Sequence, residues 1–341
     1  MMSPRRVTIR EVASSAGVSV ATVSKVLNDR YGVSEATAER VRAVIADLGY
    51  ESSLVARSLR NQHTNVIGVL VADLEPFSAE VLKGVADVLR GTEYELVAYA
   101  AAARVGEHVG WERRHLSRLS GTLIDGAVLV TPTVIDIVAS VPIVAVDPHT
   151  GRSDIPTVDS DNLRGGYLAG KHLVDLGHRR IATITGRPDL MSAQLREKGF
   201  RAALAEAGLP VDEHFVVAGD FDPEVAEKAA HELLNAAEPP SAIFAANDAT
   251  ALATIEVARR LGLSVPHDLS VIGFDNVPDA AMCEPGLTTI EQPIRDMGRR
   301  AAQLLVDRLT NDQSAQPAQA DHVRLDTRLV QRGSTTAPGQ G

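Results

Sequence analysis

The chain has 341 residues, a net charge of −10, 45% hydrophobic residues and 23% charged residues. This length suits two or three folded units, and the composition is that of a soluble globular protein rather than a disordered one. No apolar run is long enough to span a bilayer and residues 1–10 lack a secretory signal, so we expect a cytoplasmic protein without a membrane partner.

The charge is divided unevenly along the chain. Residues 1–62 contain nine Lys/Arg and six Asp/Glu, a net charge of +3, which leaves −13 for the remainder. A cationic head on an acidic body is expected of a protein that touches nucleic acid at one end only. Cys283 is the single cysteine and has no zinc-type spacing around it, so we expect no intrachain disulfide, no metal and no cofactor.

The N-terminal region predicts three short amphipathic helices. Apolar residues recur at spacings of three and four across 12–48. Thr8 followed by Glu11 forms a capping box for the first helix. Gly17 permits a turn between the first two helices, and Gly49 ends the third.

Segment 8–28 has the organisation of a helix-turn-helix, whose second helix presents Val20, Ala21, Ser24 and Lys25 outward. Small and hydroxyl side chains can contact base edges and thymine methyl groups, and Lys25 can reach a guanine or a phosphate. From the helix pattern alone, an ordinary three-helix module with solvated charges is the alternative.

Beyond Val66, short β-branched runs alternate with helical stretches. This pattern predicts an α/β body of parallel, doubly wound sheets divided between two lobes. The predicted strands are 66–72, 94–100, 126–130, 142–146, 180–185, 215–219, 242–246 and 269–274, and the predicted helices are 79–90, 163–176, 193–207, 223–234, 249–261 and 294–309.

Several of these strands end in polar residues, namely Asp73, Asp147, Asn247 and Asp275. Ligands of open α/β sheets bind outside the carboxyl ends of the strands, so these side chains are expected to face a common cleft. Asp248 is interpreted instead as the cap of the following helix.

A set of short motifs runs in one order along the chain, including Ala16-Gly17-Val18-Ser19, Leu176-Gly177-His178-Arg179-Arg180-Ile181 and Val271-Ile272-Gly273-Phe274-Asp275. Through these and similar segments the sequence resembles the lactose-repressor (LacI/GalR) family of bacterial transcriptional regulators over about residues 7–333. So many ordered matches are specific together, although each one is weak alone.

The resemblance implies that a homodimer reads a pseudo-palindromic operator in double-stranded DNA, with the second helix of each head in the major groove. It also implies a hinge helix over 53–60 that orders on DNA and inserts Leu59 into the minor groove. The DNA contacts that it implies are Thr8, Ser19, Val20, Ala21, Thr22, Ser24, Lys25, Asn28, Ser34, Tyr50, Ala56 and Leu59.

For the body, the resemblance implies two lobes like those of periplasmic sugar-binding proteins, closing on a small-molecule effector, expected to be a sugar. The implied effector contacts are Asp147, Arg196, Phe221, Asn247 and Asp275, with Asp73 and Phe77 as further candidates. Carboxylates, Arg and Asn bond to sugar hydroxyls and an aromatic face stacks on the ring, and acidic residues favour a neutral sugar over a sugar phosphate. The alternatives are an exposed helix charge at Arg196 and plain core packing of Phe221. Trp111 is interpreted as covering a surface or a dimer seam.

We divide the chain into a head, 1–52; a hinge helix and linker, 53–64; a first lobe, 65–160 and 291–318; a second lobe, 161–290 and 319–333; and a flexible tail, 334–341.

We interpret the protein as a repressor released from DNA by a neutral sugar or glycoside. We do not expect an enzyme, because no Gly-x-Ser-x-Gly, Walker or His-Glu-x-x-His motif is present. A regulator that binds DNA only with a corepressor or partner protein has the same architecture. A sugar-binding transport protein or a sugar-metabolising enzyme is a more distant alternative.

Overall fold

The computed structural model separates the chain into two units, Met1–Thr64 and Asn65–Gly341. The residues that it describes are 7–27, 31–50, 63–101, 110–120, 123–134, 139–150, 155–310 and 321–339.

The first unit contains the three predicted helices, α1 (Ile9–Ala16), α2 (Val20–Leu27) and α3 (Glu35–Leu48). The capping box is confirmed, because the Thr8 hydroxyl accepts from the Glu11 N–H at 3.4 Å and the Glu11 carboxylate accepts from the Thr8 N–H at 2.7 Å. Gly17 and Gly49 both adopt the left-handed conformation that ends a helix, with φ of 65° and 59°.

A small apolar core holds these helices together. Val12, Val23 and Val41, one from each helix, are fully buried, and Ala13 and Ala16 pack beside them. Small residues on α1 let the neighbouring helices approach, which the helix-turn-helix interpretation requires. A core of this size confers only marginal stability.

The second unit begins with the first lobe, in which helices cover a parallel sheet. Its described strands are β1 (Val66–Val71), β2 (Glu95–Ala100), β3 (Gly126–Val130), β4 (Ile143–Val146), β5 (Thr157–Ser160) and β11 (His322–Leu325). They lie in the order β2-β1-β3-β4-β5-β11, and all the pairs are parallel. The helices are α4 (Pro76–Leu89), α5 (Trp111–Leu119) and α11 (Ile294–Thr310).

The second lobe repeats this architecture. Its described strands are β6 (Ile181–Thr185), β7 (Val216–Ala218), β8 (Ala242–Ala245), β9 (Ser270–Asp275), β10 (Thr288–Glu291) and β12 (Arg328–Val330). They lie in the order β7-β6-β8-β9-β10-β12, in which only the β10–β12 pair is antiparallel. The helices are α6 (Asn162–Asp175), α7 (Met191–Glu206), α8 (Pro223–Leu234), α9 (Asp248–Arg260) and α10 (Pro278–Met282), with a short 3-10 turn at Glu213–Phe215.

Burial on both faces explains why the central strands read as unbroken apolar runs. Every residue of β1, β3, β4, β8 and β9 is buried. Helices on each side of a parallel sheet remove both faces from water, so apolar side chains are favoured at successive positions. The predicted fold class, an all-α head followed by a two-lobed α/β body, is confirmed.

The predicted lobe boundary near the C-terminus was wrong. Residues 319–333 were assigned to the second lobe, but β11 pairs with β5 in the first lobe and only β12 joins the second. Within the described residues the chain therefore crosses between lobes near 160–162, 291–294 and 325–328.

The prediction of a flexible tail over 334–341 was also wrong for the part that the structure describes. Ser334 and Thr335 are buried, and the Ser334 hydroxyl donates to the Val271 carbonyl at 2.6 Å. The Thr336 N–H donates to the Ser270 hydroxyl at 3.0 Å. Polar residues that resemble a tail in sequence here satisfy buried backbone groups of the second lobe.

Trp111 was expected on a surface or a dimer seam, but its side chain is 0% exposed. It begins α5 and lies near His115, with 6.4 Å between the ring centroids. No helix in the described part of the chain combines the length and apolar character needed to cross a bilayer.

Candidate functional site

The two lobes bring most of the predicted effector residues to the carboxyl ends of their strands. Asp147 follows β4 of the first lobe, Asn247 follows β8 of the second, and Asp275 ends β9. Arg196 reaches the same place from the second turn of α7. The strand-end rule therefore predicted from sequence that these residues lie together, and their role as an effector cleft stays a prediction.

Arg196 is the central side chain of this group and is only 3% exposed. Its Nε donates to Asn162 Oδ1 at 2.8 Å, and its Nη1 donates to the Ala246 carbonyl at 2.6 Å. The same Nη1 lies 3.4 Å from Asp275 Oδ1. The alternative of an exposed helix charge is therefore wrong, because this guanidinium is fixed by three separate acceptors.

Two aromatic rings complete the surroundings of Arg196. Its guanidinium carbon lies 3.8 Å from the centre of the Phe274 ring and 5.4 Å from that of Phe221. Phe221 has a left-handed backbone, with φ of 61°, and its ring lies against Gly186, where any Cβ would overlap it. Phe221 is half-buried, and its contact with an effector stays a prediction.

Asp275 is held in an uncommon geometry at the end of β9. Its φ is 117°, a region that side-chain-bearing residues seldom adopt, and its carboxylate accepts from Gln292 Nε2 at 2.5 Å. Burial raises the pKa of Asp275, while Arg196 and Gln292 oppose that shift. Strained backbone at a buried carboxylate is characteristic of functional sites.

The residue that caps α9 is Asn247 and not, as the sequence suggested, Asp248. Asn247 caps α9, because its side-chain oxygen accepts from the Thr250 N–H at 2.9 Å. Asp248, the predicted cap, is the first residue of the helix and is fully buried. It binds Thr289 Oγ1 at 2.5 Å and the Val277 N–H at 2.9 Å instead.

Asp147 supplies a carboxylate from the first lobe. It too has a left-handed backbone, with φ of 47°, and it is buried. Burial raises the pKa of Asp147 to about 6, whereas the charge of Arg196 and a hydrogen bond from Ser192 lower it. Ser192 lies in the first turn of α7, so its hydrogen bond to Asp147 links the second lobe to the first.

The first lobe also contains the two further candidates, Asp73 and Phe77. Asp73 is exposed close to the cleft, where it interacts electrostatically with Glu75. Phe77, in the first turn of α4, is half-buried and packs against an apolar cluster that also includes Val277, two residues after Asp275, so its role as an effector contact stays a prediction.

Glu75 is a cleft residue that sequence reasoning missed. Glu75 remains exposed to solvent, but partial loss of hydration around its carboxyl group, followed by repulsion from Asp275 and Asp73, raises its pKa to about 7. Its place two residues after Asp73, just beyond β1, is the signal that could have found it.

Gln292 and Asn162 were also missed. Gln292 follows β10 and joins the lobes, since its Oε1 accepts from Ser160 Oγ at 2.7 Å while its Nε2 binds Asp275. Asn162 follows β5 and holds Arg196. Both residues follow strands that the sequence pattern did not predict, so the rule that ligands bind at strand ends could not identify them.

In the head, the predicted readout residues lie on and beside α2. Ser19, Val20, Ala21 and Lys25 are exposed, and the Ser19 hydroxyl accepts from the Thr22 N–H at 3.1 Å. The further residues Thr8 and Ser34 are exposed, whereas Thr22, Ser24 and Tyr50 are half-buried. Asn28, Ala56, Leu59 and the predicted hinge helix 53–60 lie outside the described residues.

A helix-turn-helix head followed by a two-lobed body with a polar cleft is the organisation of a ligand-responsive DNA-binding protein. Comparison with known families agrees. Residues 8–53 match the model of bacterial regulatory proteins of the lacI family, and residues 171–335 match a periplasmic binding protein-like domain.

Similar proteins cover nearly the whole chain. The HTH-type transcriptional repressor PurR of Photorhabdus laumondii is 37% identical over 336 residues, which is 96% of each chain. Among solved structures, a complex of the transcriptional regulator CelR with cellobiose is 34% identical, with a TM-score of 0.71 over 96% of this chain and all of the other. The lac repressor dimer bound to operator and the anti-inducer ONPF is 26% identical, with a TM-score of 0.80 over 98% of this chain and all of the other.

The chain belongs to the lacI family of bacterial regulatory proteins and is a DNA-binding transcriptional repressor. Regulators of this kind bind operator DNA and small-molecule effectors.

Proposed function

We propose that this repressor binds a pseudo-palindromic operator as a homodimer and that a neutral sugar or glycoside in the cleft releases it. The observation that carries the proposal is the Arg196–Asp275 pair at the strand ends. Both side chains are buried and hydrogen-bonded to groups of the protein itself. A preorganised donor and acceptor of this kind can bond to adjacent hydroxyl groups without first being ordered.

The charges of the cleft favour a neutral ligand. Asp147, Asp275 and Glu75 provide carboxylates, and Arg196 is bonded to Asp275. The charge of Arg187 also acts on Glu75, but Arg187 donates from Nε and Nη2 to Asp189 at 3.1 and 2.7 Å. These carboxylates would repel a phosphate, whereas they can accept hydrogen bonds from the hydroxyl groups of a neutral sugar. The cellobiose found with the similar regulator CelR supports the same class of ligand.

The DNA side of the proposal rests on the head. The exposed face of α2 presents small side chains and Lys25, and residues 1–62 have a net charge of +3 against −13 for the rest. A homodimer would present two such faces to the two half-sites of an operator. The lac repressor structure, a dimer on its operator, supports this arrangement.

In the mechanism that we propose, two pre-existing states of the dimer differ in how the heads are presented to DNA. The effector binds one of them more tightly and shifts the population towards it. Asp147 and Gln292 connect the cleft to both lobes, so a ligand that bonds to them can bias the relative position of the lobes.

The test is a fluorescence-anisotropy titration of labelled DNA from upstream of the protein's own gene. Salt is held fixed, because phosphate contacts make the affinity fall steeply with ionic strength. The added compounds are cellobiose, other neutral mono- and disaccharides, and glucose 6-phosphate. We expect tight binding without additions and release by one neutral sugar. DNA binding only after an addition would instead establish a corepressor-dependent regulator, and release by the phosphate alone would contradict the proposed ligand class.

A further inference from the structure

The turn that follows β9 has a backbone that needs external support. Asp275 and Asn276 are successive non-glycine residues with positive φ, 117° and 59°. Such conformations persist only where surrounding groups hold them. The direction of the Asp275 carboxylate therefore depends on whatever fixes this turn.

Asp248 holds the turn from beneath. Its Oδ2 accepts from the Val277 N–H at 2.9 Å, and the Asn276 N–H also bonds to this carboxylate. Its Oδ1 accepts from Thr289 Oγ1 at 2.5 Å and lies directly against Gly273, where any Cβ would overlap it. Because Asp248 is 0% exposed, it cannot contact a ligand in the cleft.

Arg332 holds the same turn from the side. Its Nη2 donates to Asn276 Oδ1 and its Nη1 donates to the Leu287 carbonyl, both at 2.6 Å. The Arg332 backbone is anchored as well, since its N–H donates to Thr288 Oγ1 at 2.9 Å.

The segment that carries Arg332 is itself fixed to the second lobe. Ser334 accepts from the Thr288 N–H at 2.8 Å through its hydroxyl, and its carbonyl accepts from the Val271 N–H at 2.8 Å. The C-terminal arm, residues 331–336, thus connects the outer part of the second lobe to the turn that presents Asp275.

We propose that Asp248 and Arg332 are positioning residues for the effector site: together they hold the turn 275–277 so that the Asp275 carboxylate stays directed at Arg196 and the cleft. This inference rests on the proposed function, in which Asp275 binds the effector. It assigns a role in effector recognition to two residues that do not touch the ligand.

The first measurement needs no effector. Hydrogen–deuterium exchange of the peptide covering 276–282 is compared in the full-length wild type, Arg332→Ala and the control Arg328→Ala. Arg328 belongs to β12, just before the C-terminal arm, but its side chain is 75% exposed and pairs with Glu291 outside the turn. We expect exchange in this peptide to be about tenfold faster in Arg332→Ala and unchanged in Arg328→Ala. Unchanged exchange in Arg332→Ala would overturn the proposal.

The second measurement separates positioning from general stability. The concentration of cellobiose, or of whichever sugar releases the wild type, is measured at half-release from operator DNA for each variant. We expect this concentration to rise about tenfold in Arg332→Ala while the sugar-free operator affinity is retained. Equal loss of operator affinity and of sugar response would show a merely structural role and overturn the proposal.

The role of Asp248 is tested with the conservative variant Asp248→Asn. Asp248→Ala is not used, because it removes a buried acceptor and can prevent folding. In Asp248→Asn the amide oxygen can still accept from the turn while the amide nitrogen donates to Thr289 Oγ1. We expect Asp248→Asn to keep turn protection and sugar response within threefold of the wild type, and complete loss of both in a folded protein would contradict the proposed hydrogen bonds. If no sugar releases the wild type, the proposed function fails, but the exchange result still decides whether Arg332 holds the turn.

Discussion

At the scale of single residues, Arg196 shows why the cleft is preorganised. Burying a guanidinium is unfavourable unless hydrogen bonds and a counter-charge replace its hydration. Asn162, the Ala246 carbonyl and Asp275 supply these, and the Phe274 ring covers one face of the group. Lysine could not reproduce this arrangement, because it has no planar fork of donors.

Glu75 should make the effector response depend on pH. Its pKa is raised to about 7, so raising the pH from 6 to 8 adds a negative charge to the cleft. Sugar binding must then remove water from the ionised Glu75 carboxylate, so the complex favours the protonated form of Glu75. The affinity for the sugar therefore falls as the pH rises. We expect the sugar concentration at half-release to increase over this range in the wild type and to change less in Glu75→Gln.

The control for this experiment is Glu93→Gln, which removes an exposed carboxylate of the same lobe outside the cleft. It should keep the pH dependence of the wild type. A Glu75→Gln profile that follows the wild type would show that another group titrates.

At the scale of elements, the apolar strands were predictable and the polar ones were not. β1, β3 and β8 are unbroken apolar runs, which parallel sheets favour. β5, with the sequence Thr-Val-Asp-Ser, and β10, with Thr-Thr-Ile-Glu, are largely buried despite their polar side chains. Hydrogen bonds formed only in the fold satisfy these side chains, and no local pattern reveals them.

The close contact of α6 and α7 positions Arg196 and gives a prediction. A Cβ at Gly199 would overlap the Leu163 carbonyl, so Gly199→Ala must push the helices apart. We expect a loss of about 1–3 kcal/mol in the free energy of unfolding, together with a weaker sugar response. Urea denaturation followed by circular dichroism measures the first effect, with the exposed Ala205→Ser on the same helix as the control. Equal stability of the two variants would contradict the close packing.

The contacts of the C-terminal arm should make the second lobe sensitive to acid. His178 binds Ser241 Oγ and the Thr336 carbonyl, both at 2.9 Å, and His172 binds Thr335 Oγ1 at the same distance. Burial lowers the pKa of both histidines. The unfolded chain therefore binds more protons near pH 6, so this stability is present above about pH 6.5 and declines as the pH falls below it.

We expect the thermal midpoint to fall between pH 7.5 and 5.5 by less in His178→Gln than in the wild type. The substitution removes one of the groups that must become protonated on unfolding, although it also weakens the native contacts. Calorimetry measures both midpoints, and the control is His231→Gln, which changes an exposed histidine of α8. Equal decreases in the wild type and His178→Gln would refute the assignment.

At the scale of the whole molecule, the operator-binding head and the effector-binding body have net charges of opposite sign. Operator binding requires cations on the head, whereas the body carries an excess of acidic residues. The sequence predicted this division and the two-lobed fold. The C-terminal arm was missed, because its serine and threonine residues acquire their partners only through contacts distant in sequence.

A substitution of Lys25 tests whether the cations of the head contribute to operator binding. If it contacts a phosphate, Lys25→Ala should weaken operator binding by about tenfold and reduce the slope of log K against log salt by about 0.9. Anisotropy titrations at several salt concentrations give both quantities. Lys228→Ala, which removes an exposed cation of the body, should change neither. An unchanged salt slope with altered base preference would instead assign Lys25 to a base edge.

The central claim, that the Arg196–Asp275 cleft controls operator affinity, is tested most directly by measuring operator affinity with and without the releasing sugar in the wild type and in Asp275→Asn. Glu238→Gln, an exposed change in the loop between α8 and β8, is the control. We predict that the sugar weakens operator binding by about tenfold or more in the wild type and the control. In Asp275→Asn we predict almost no change, with the sugar-free affinity retained. Release of Asp275→Asn at the wild-type sugar concentration would contradict the account.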